Sequence, residues 1–103
     1  TIVDKLGPHA PNTLYVDAAK LNYPLTVRPW SLDDVFHPFG MKGKKKLPKF
    51  FKDEKLSLLT KNSIWVLESG GKIVWIIGFR PDDRFKVTSS TKEILKIQYR
   101  TQL

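Results

Sequence analysis

Apolar residues recur along this chain at two different spacings, one helical and one extended. Residues 44–55 read as a helix, with Pro48 near its first turn, where a missing N–H does no harm. At about 100° per residue, Lys45, Lys49 and Lys52 fall on one side of it. Leu47, Phe50 and Phe51 fall on the other, so the helix is amphipathic, with lysines opposite an aromatic anchor. Phe51 is expected to pin this helix to the rest of the fold. From Ile64 the pattern turns extended. Residues 64–67 and 73–77 are rich in branched and aromatic side chains and flank Ser69-Gly70-Gly71, which predicts a hairpin. The second arm is apolar without alternation, which predicts a central strand covered on both faces. Residues 85–88 and 94–99 alternate and read as further strands, as do Leu14-Tyr15-Val16 and residues 25–28, the latter stopping at Pro29. Asp17-Ala18-Ala19-Lys20 predicts a helical turn. Ser31-Leu32-Asp33-Asp34 resembles a capping box, although Pro38 leaves room for little more than one turn after it. Residues 1–12, with Gly7, Pro8 and Pro11, read as a partly irregular lead-in. The expectation is α+β: a small, mostly antiparallel sheet or sandwich of about five strands with one clear short helix, in a single domain spanning residues 1–103.

The chain has 103 residues, enough for one hydrophobic core, and 41% of them are apolar, the share of a globular protein. No stretch approaches the roughly 20 apolar residues of a membrane-spanning helix. There is no cysteine, which excludes disulfides and thiolate metal sites and suits a reducing cytoplasm. The chain starts at Thr1 and its only methionine is Met41, the expectation for a piece of a longer polypeptide. Its net charge is +8, which points to a polyanionic partner. Residues 41–55 carry seven lysines (Lys42, Lys44, Lys45, Lys46, Lys49, Lys52 and Lys55) against Asp53 and Glu54. Five of the eight net charges therefore sit in one short segment, and the partner surface is expected there.

Several motifs compete with a binding role. Ser69-Gly70-Gly71 has the look of a phosphate loop, but such a loop needs a helix N-terminus after it and a strand is predicted instead. Gly40-Met41-Lys42-Gly43 fits the GXXG loop that clamps nucleotide backbone in KH domains. That loop joins two helices, and Pro38 argues against the first. The segment still reads as a glycine-flanked loop bringing amides and lysines close to phosphate. The lysine run has the bland alternative of a solvated helix face. His9 and His37 lack ligand-spaced partners for a metal and are assigned to surface or packing roles. Asp33-Asp34 and Asp82-Asp83 sit in turn-like sequence and are assigned to capping and local ion pairs rather than acid–base catalysis. Trp65 and Trp75 lie in predicted strands and are assigned to the core. No nucleophile stands with a base.

The run Arg28-Pro29-Trp30, Asp34, Phe36-His37-Pro38-Phe39-Gly40-Met41-Lys42-Gly43-Lys44-Lys45-Lys46-Leu47, Phe50-Phe51 resembles the C-terminal domain of tRNA(Ile)-lysidine synthetase. The same holds for Ile73-Val74-Trp75 and Gly78-Phe79-Arg80. The likeness spans roughly residues 15–88. It departs at Asp33, where the family has glycine, and at Val35, where it often has arginine. Arg28, Lys45, Lys46 and Arg80 fall where the family carries basic residues.

The resemblance implies a parent enzyme that uses ATP, with magnesium, to join lysine to the wobble cytidine of an isoleucine tRNA. Its ATP loop would lie in a separate domain, leaving no cofactor and no catalytic residue in this chain. It implies a fold similar to a domain of the phenylalanyl-tRNA synthetase β subunit, and a role in holding the tRNA acceptor stem. The candidate RNA-binding residues are Arg28, Lys42, Lys44, Lys45, Lys46, Lys49, Lys52 and Arg80. The expected partners are tRNA and other domains of the same enzyme, without a membrane. The competing reading is a protein-interaction domain docking an acidic partner through the same basic patch.

Overall fold

The computed structural model describes residues 1–8 and 10–100; His9 lies outside them. Among the described residues, nine strands form three antiparallel sheets. The central sheet holds β3 (Leu25–Pro29), β6 (Trp65–Ser69), β7 (Lys72–Ile76) and β8 (Arg80–Pro81), in that order. A second sheet has the order β1 (Ile2–Val3), β9 (Ile94–Gln98), β2 (Thr13–Asp17). β4 (Val35–Phe36) and β5 (Lys45–Lys46) form a small hairpin that leads into helix α1 (Leu47–Asp53). The five strands of five residues (β2, β3, β6, β7 and β9) make up the α+β body that the hydrophobic pattern predicts.

Both faces of the central sheet are covered, and a bulge decides which residues of β7 face which cluster. Leu67 pairs with Trp75 but Glu68 pairs with Ile73, so Val74 is an extra residue in β7. Val74 and Trp75 therefore join Leu14, Val16, Leu67 and Phe85 in one cluster, backed by Leu95 and Ile97 of β9. Ile73 and Ile76 join the other, with Phe36, Leu47, Phe50, Phe51, Ile64 and Val66. Phe51 is fully buried, and Trp30 meets its ring edge-on at 4.9 Å. The predicted hairpin turn is present, with positive φ at both Gly70 and Gly71, the geometry that matches strand twist. Asp17 caps the predicted turn at Ala18–Lys20 by accepting from the Ala19 N–H at 3.0 Å.

Several expectations are corrected. The helix begins at Leu47, not residue 44, because the backbone of Lys45 and Lys46 is taken up by pairing with Phe36 and Val35. The Leu47 N–H donates to the Asp34 carbonyl at 3.0 Å, and Pro48 occupies the first turn. Residues 85–88 are not a strand: Asp82 accepts from the Arg84 N–H and bends the chain into a 3-10 turn at Asp83–Phe85, from which Phe85 still reaches the core. Trp65 is 48% exposed rather than buried, since it sits at the end of β6 opposite Pro29 of the edge strand. At Ser31–Asp34 the Asp34 carboxylate accepts from the Ser31 N–H at 2.6 Å, closing a turn with no helix behind it. A second short helix, α2 (Leu58–Asn62), went unread; its N-cap is Ser57, whose hydroxyl accepts from the Thr60 N–H. So did β1, which makes the lead-in an edge strand on β9.

Candidate nucleic-acid interface

The loop between β4 and β5 carries Gly40-Met41-Lys42-Gly43-Lys44. Gly40 and Gly43 both have φ near +80°, which side-chain-bearing residues rarely adopt. A turn closed by the Met41 N–H on the Pro38 carbonyl starts it. Its base is tied to the end of β8 and the residues after it. Pro38 bridges Asp82, the Phe39 N–H donates to Pro81, and the Asp83 N–H donates to the His37 carbonyl. The Gly40 N–H donates to the Asp83 carboxylate at 3.3 Å. Asp82 is fully covered and accepts from the His37 N–H at 2.8 Å and from the Arg84 guanidinium at 3.0 Å. The Gly40 N–H, then the Lys86 ammonium, holds the Asp83 carboxyl below the usual carboxylate range. The acid pair is thus the brace of the basic loop. Sequence reading assigned both acids to capping and ion pairs, which they do make. That they brace the loop was not legible at a separation of more than forty residues.

The lysines divide into two kinds. Lys42, Lys44 and Lys46 are exposed and, among the described residues, take part in no ion pair. With Lys45, Lys49, Pro38 and Met41 they line a concave surface of about 420 Å³. Lys45 is different: its side chain is only 18% exposed and its ammonium is paired with Asp53. Lys49 lies 3.8 Å from the same carboxylate. The Lys45 hydrogen bond, helped by the charges of Lys49 and Lys52, outweighs desolvation and holds the exposed Asp53 below the usual carboxylate range. Lys45 thus does not join Lys49 and Lys52 on a shared solvated helix face. It approaches them from a strand, with Asp53 between.

The two arginines are engaged within the protein. Arg28 donates two hydrogen bonds to Asp34, at 2.8 and 2.9 Å, and two longer ones to Glu68. The Asp34 bonds chiefly raise the guanidinium further above its ordinary value. Burial alone would push Asp34 up, but the Arg28 and Ser31 hydrogen bonds outweigh it and leave the carboxyl low. Arg28 therefore clamps the segment before β4 to the central sheet. Arg80 pairs with Glu54 at 3.5 Å, lies over the Phe50 ring and donates to the Phe39 carbonyl, joining α1 to the loop base.

A stability prediction follows from this clamp. Asp34 is low in the folded state, so its contribution is present above about pH 4 and lost as pH falls through the folded value. Asp34→Asn is expected to cost about 2 kcal/mol at neutral pH. It should also flatten the acid limb of a urea-midpoint profile, to which Asp53 and Asp83 still contribute. A variant profile parallel to the parent's would show that the clamp does not titrate.

Ser69-Gly70-Gly71 does not fit a nucleotide phosphate. A strand follows it, and the Ser69 hydroxyl is occupied by the Asn22 N–H and carbonyl at 2.7 and 2.9 Å. Among the described residues, no three of His, Asp or Glu cluster as metal ligands, and no helix is long and apolar enough to cross a membrane.

Comparison with known proteins places this arrangement. The family described as the TilS substrate C-terminal domain matches residues 25–99. A tRNA(Ile)-lysidine synthase of Parabacteroides distasonis is 48% identical over 85 residues, covering 82% of this chain and 19% of the relative. One of Bacteroides thetaiotaomicron is 42% identical over 88 residues, covering 85% and 21%. One of Porphyromonas gingivalis is 35% identical over 103 residues, covering 94% and 23%. This chain thus spans about a fifth of the length of the curated relatives it matches. A solved crystal structure of a TILS C-terminal domain shares the fold, with a TM-score of 0.72 at 20% identity over 97% of this chain and 82% of that one. The chain belongs to the TilS C-terminal domain family.

Proposed function

We propose that this chain is the tRNA-binding module of a tRNA(Ile)-lysidine synthase and that it holds the acceptor stem without taking part in the chemistry. The observation that carries the reading is the set of Lys42 and Lys44, on a glycine-hinged loop braced by Asp82 and Asp83, and Lys46 on the strand that leaves it, all exposed and, among the described residues, free of ion pairs. Three such ammonium groups meet phosphates without first breaking internal pairs. An A-form stem suits them, because it is recognised through shape, phosphates and 2′-hydroxyls. The parent would use ATP with magnesium, in the cytoplasm, to join lysine to the wobble cytidine of an isoleucine tRNA. That chemistry belongs to the remainder of the polypeptide. The module contributes binding energy and orientation. Arg28 and Arg80 hold the platform, and Lys45, Lys49 and Lys52 extend the positive field around it.

Salt titration tests this. If about five phosphates are neutralised, affinity for isoleucine tRNA should fall about a hundredfold or more between roughly 50 and 200 mM salt. An affinity unchanged across that range would rule out the lysine loop as the contact.

A further inference from the structure

The Pro38–Met41 turn has a second side. Behind it lies a cavity of about 450 Å³, within the range of small-ligand sites, lined by Leu6, Phe39, Trp75, Phe79, Pro81 and Val87 among others. Phe39 and Phe79 are 47% and 44% exposed and belong to neither buried cluster. Phe39 stands between Pro38, which bridges Asp82, and Gly40 of the lysine loop, and the Phe39 N–H on Pro81 fixes its backbone. The cavity does not repel an anion's neighbour: its acid, Asp82, is fully covered and neutralised by Arg84, and Lys86 stands at its wall.

We infer that this cavity takes an unpaired nucleobase of the RNA whose phosphates meet Lys42, Lys44 and Lys46; the inference rests on the RNA-binding reading above. A flat base presents a π-face to the exposed phenylalanine rings, and the turn shared by the two concave surfaces leaves its backbone on the lysine side. Inside a paired stem both faces of every base are already stacked, and the cavity is too small for a whole terminal pair. The occupant is therefore a single-stranded nucleotide at a stem's end, not the stem itself. Stacking of this kind tolerates any base.

The test uses the 103-residue chain and three RNA stems: blunt, with a short single-stranded 3′ extension, and with the same extension made abasic. The extension should tighten binding about tenfold, the worth of one stacked base. The abasic extension, which keeps the added phosphates, should bind like the blunt stem. Phe39→Ala with Phe79→Ala should erase the gain and leave blunt-stem affinity unchanged. Equal binding of blunt and extended stems, or of abasic and base-bearing extensions, overturns the inference. The lysine reading is tested separately. If Lys42→Glu, Lys44→Glu and Lys46→Glu weaken all three RNAs while the extension adds nothing, the base cavity fails and the lysine loop stands. If the extension's gain survives and the lysine changes alter no affinity, the cavity stands and the lysine loop fails.

Discussion

Reversing Lys42, Lys44 and Lys46 to Glu together is expected to weaken tRNA binding by about a hundredfold or more at low salt and to flatten its salt dependence. These side chains are exposed and make no ion pair among the described residues, so their replacement leaves no internal partner uncompensated. The fold should therefore survive, as far-ultraviolet circular dichroism and an unchanged melting temperature would show. The comparison that gives the result meaning is Lys20, Lys72 and Lys92 to Glu, which changes the net charge by the same amount. Lys20 lies 3.8 Å from Asp17 and the other two are exposed, away from the loop. Similar losses from both sets would mean that the charge acts only in bulk. Lys45→Glu is a different experiment, since it breaks the pair with Asp53 and places two acids together. Part of its effect would be on stability.

Phe51→Ala is expected to destabilise the domain by about 3–5 kcal/mol, as does removing a buried aromatic ring from a packed core. Phe51 is fully covered and touches Trp30 and Phe50 edge-on, at 4.9 and 5.9 Å between ring centres. Phe50 in turn packs on Phe36 of β4, so the cavity would open beneath both the helix and the hairpin that leads into it. For a domain of this size, each 1 kcal/mol lowers the melting temperature by about 4–8 °C, so the shift would be large. Trp65→Ala is the control: that ring is bigger but half exposed, and its loss should cost less. A Phe51→Ala variant that melted like the parent would place the ring outside the core.

Local pattern went furthest where one periodicity decided one face. Leu47, Phe50 and Phe51 are buried together on α1, Ile73 to Ile76 form a central strand, and the two glycines make the hairpin turn. The lysine run was also plain, and with it the position of the basic loop. Each of these depends on neighbours a few residues apart, whose spacing sets which side faces the core.

What stayed hidden depends on partners far apart in the chain. Nothing near Lys45 says that its backbone pairs with Phe36, yet that pairing delays the helix and turns the side chain onto Asp53. Residues 85–88 alternate like a strand, but Asp82 draws Phe85 into a turn and, among the described residues, they pair with no strand. Trp65 has the residue type of a core position and lies where the covering layer ends. Arg28 carries the charge of an RNA contact, and Glu68, forty residues on, and Asp34 take up its donors. Local spacing was enough for the five long strands, the apolar face of the helix, the hairpin and where positive charge gathers. Which of those charges are free depends on the folded chain, since a charge is neutralised by whatever comes within a few ångströms of it, at any distance along the sequence.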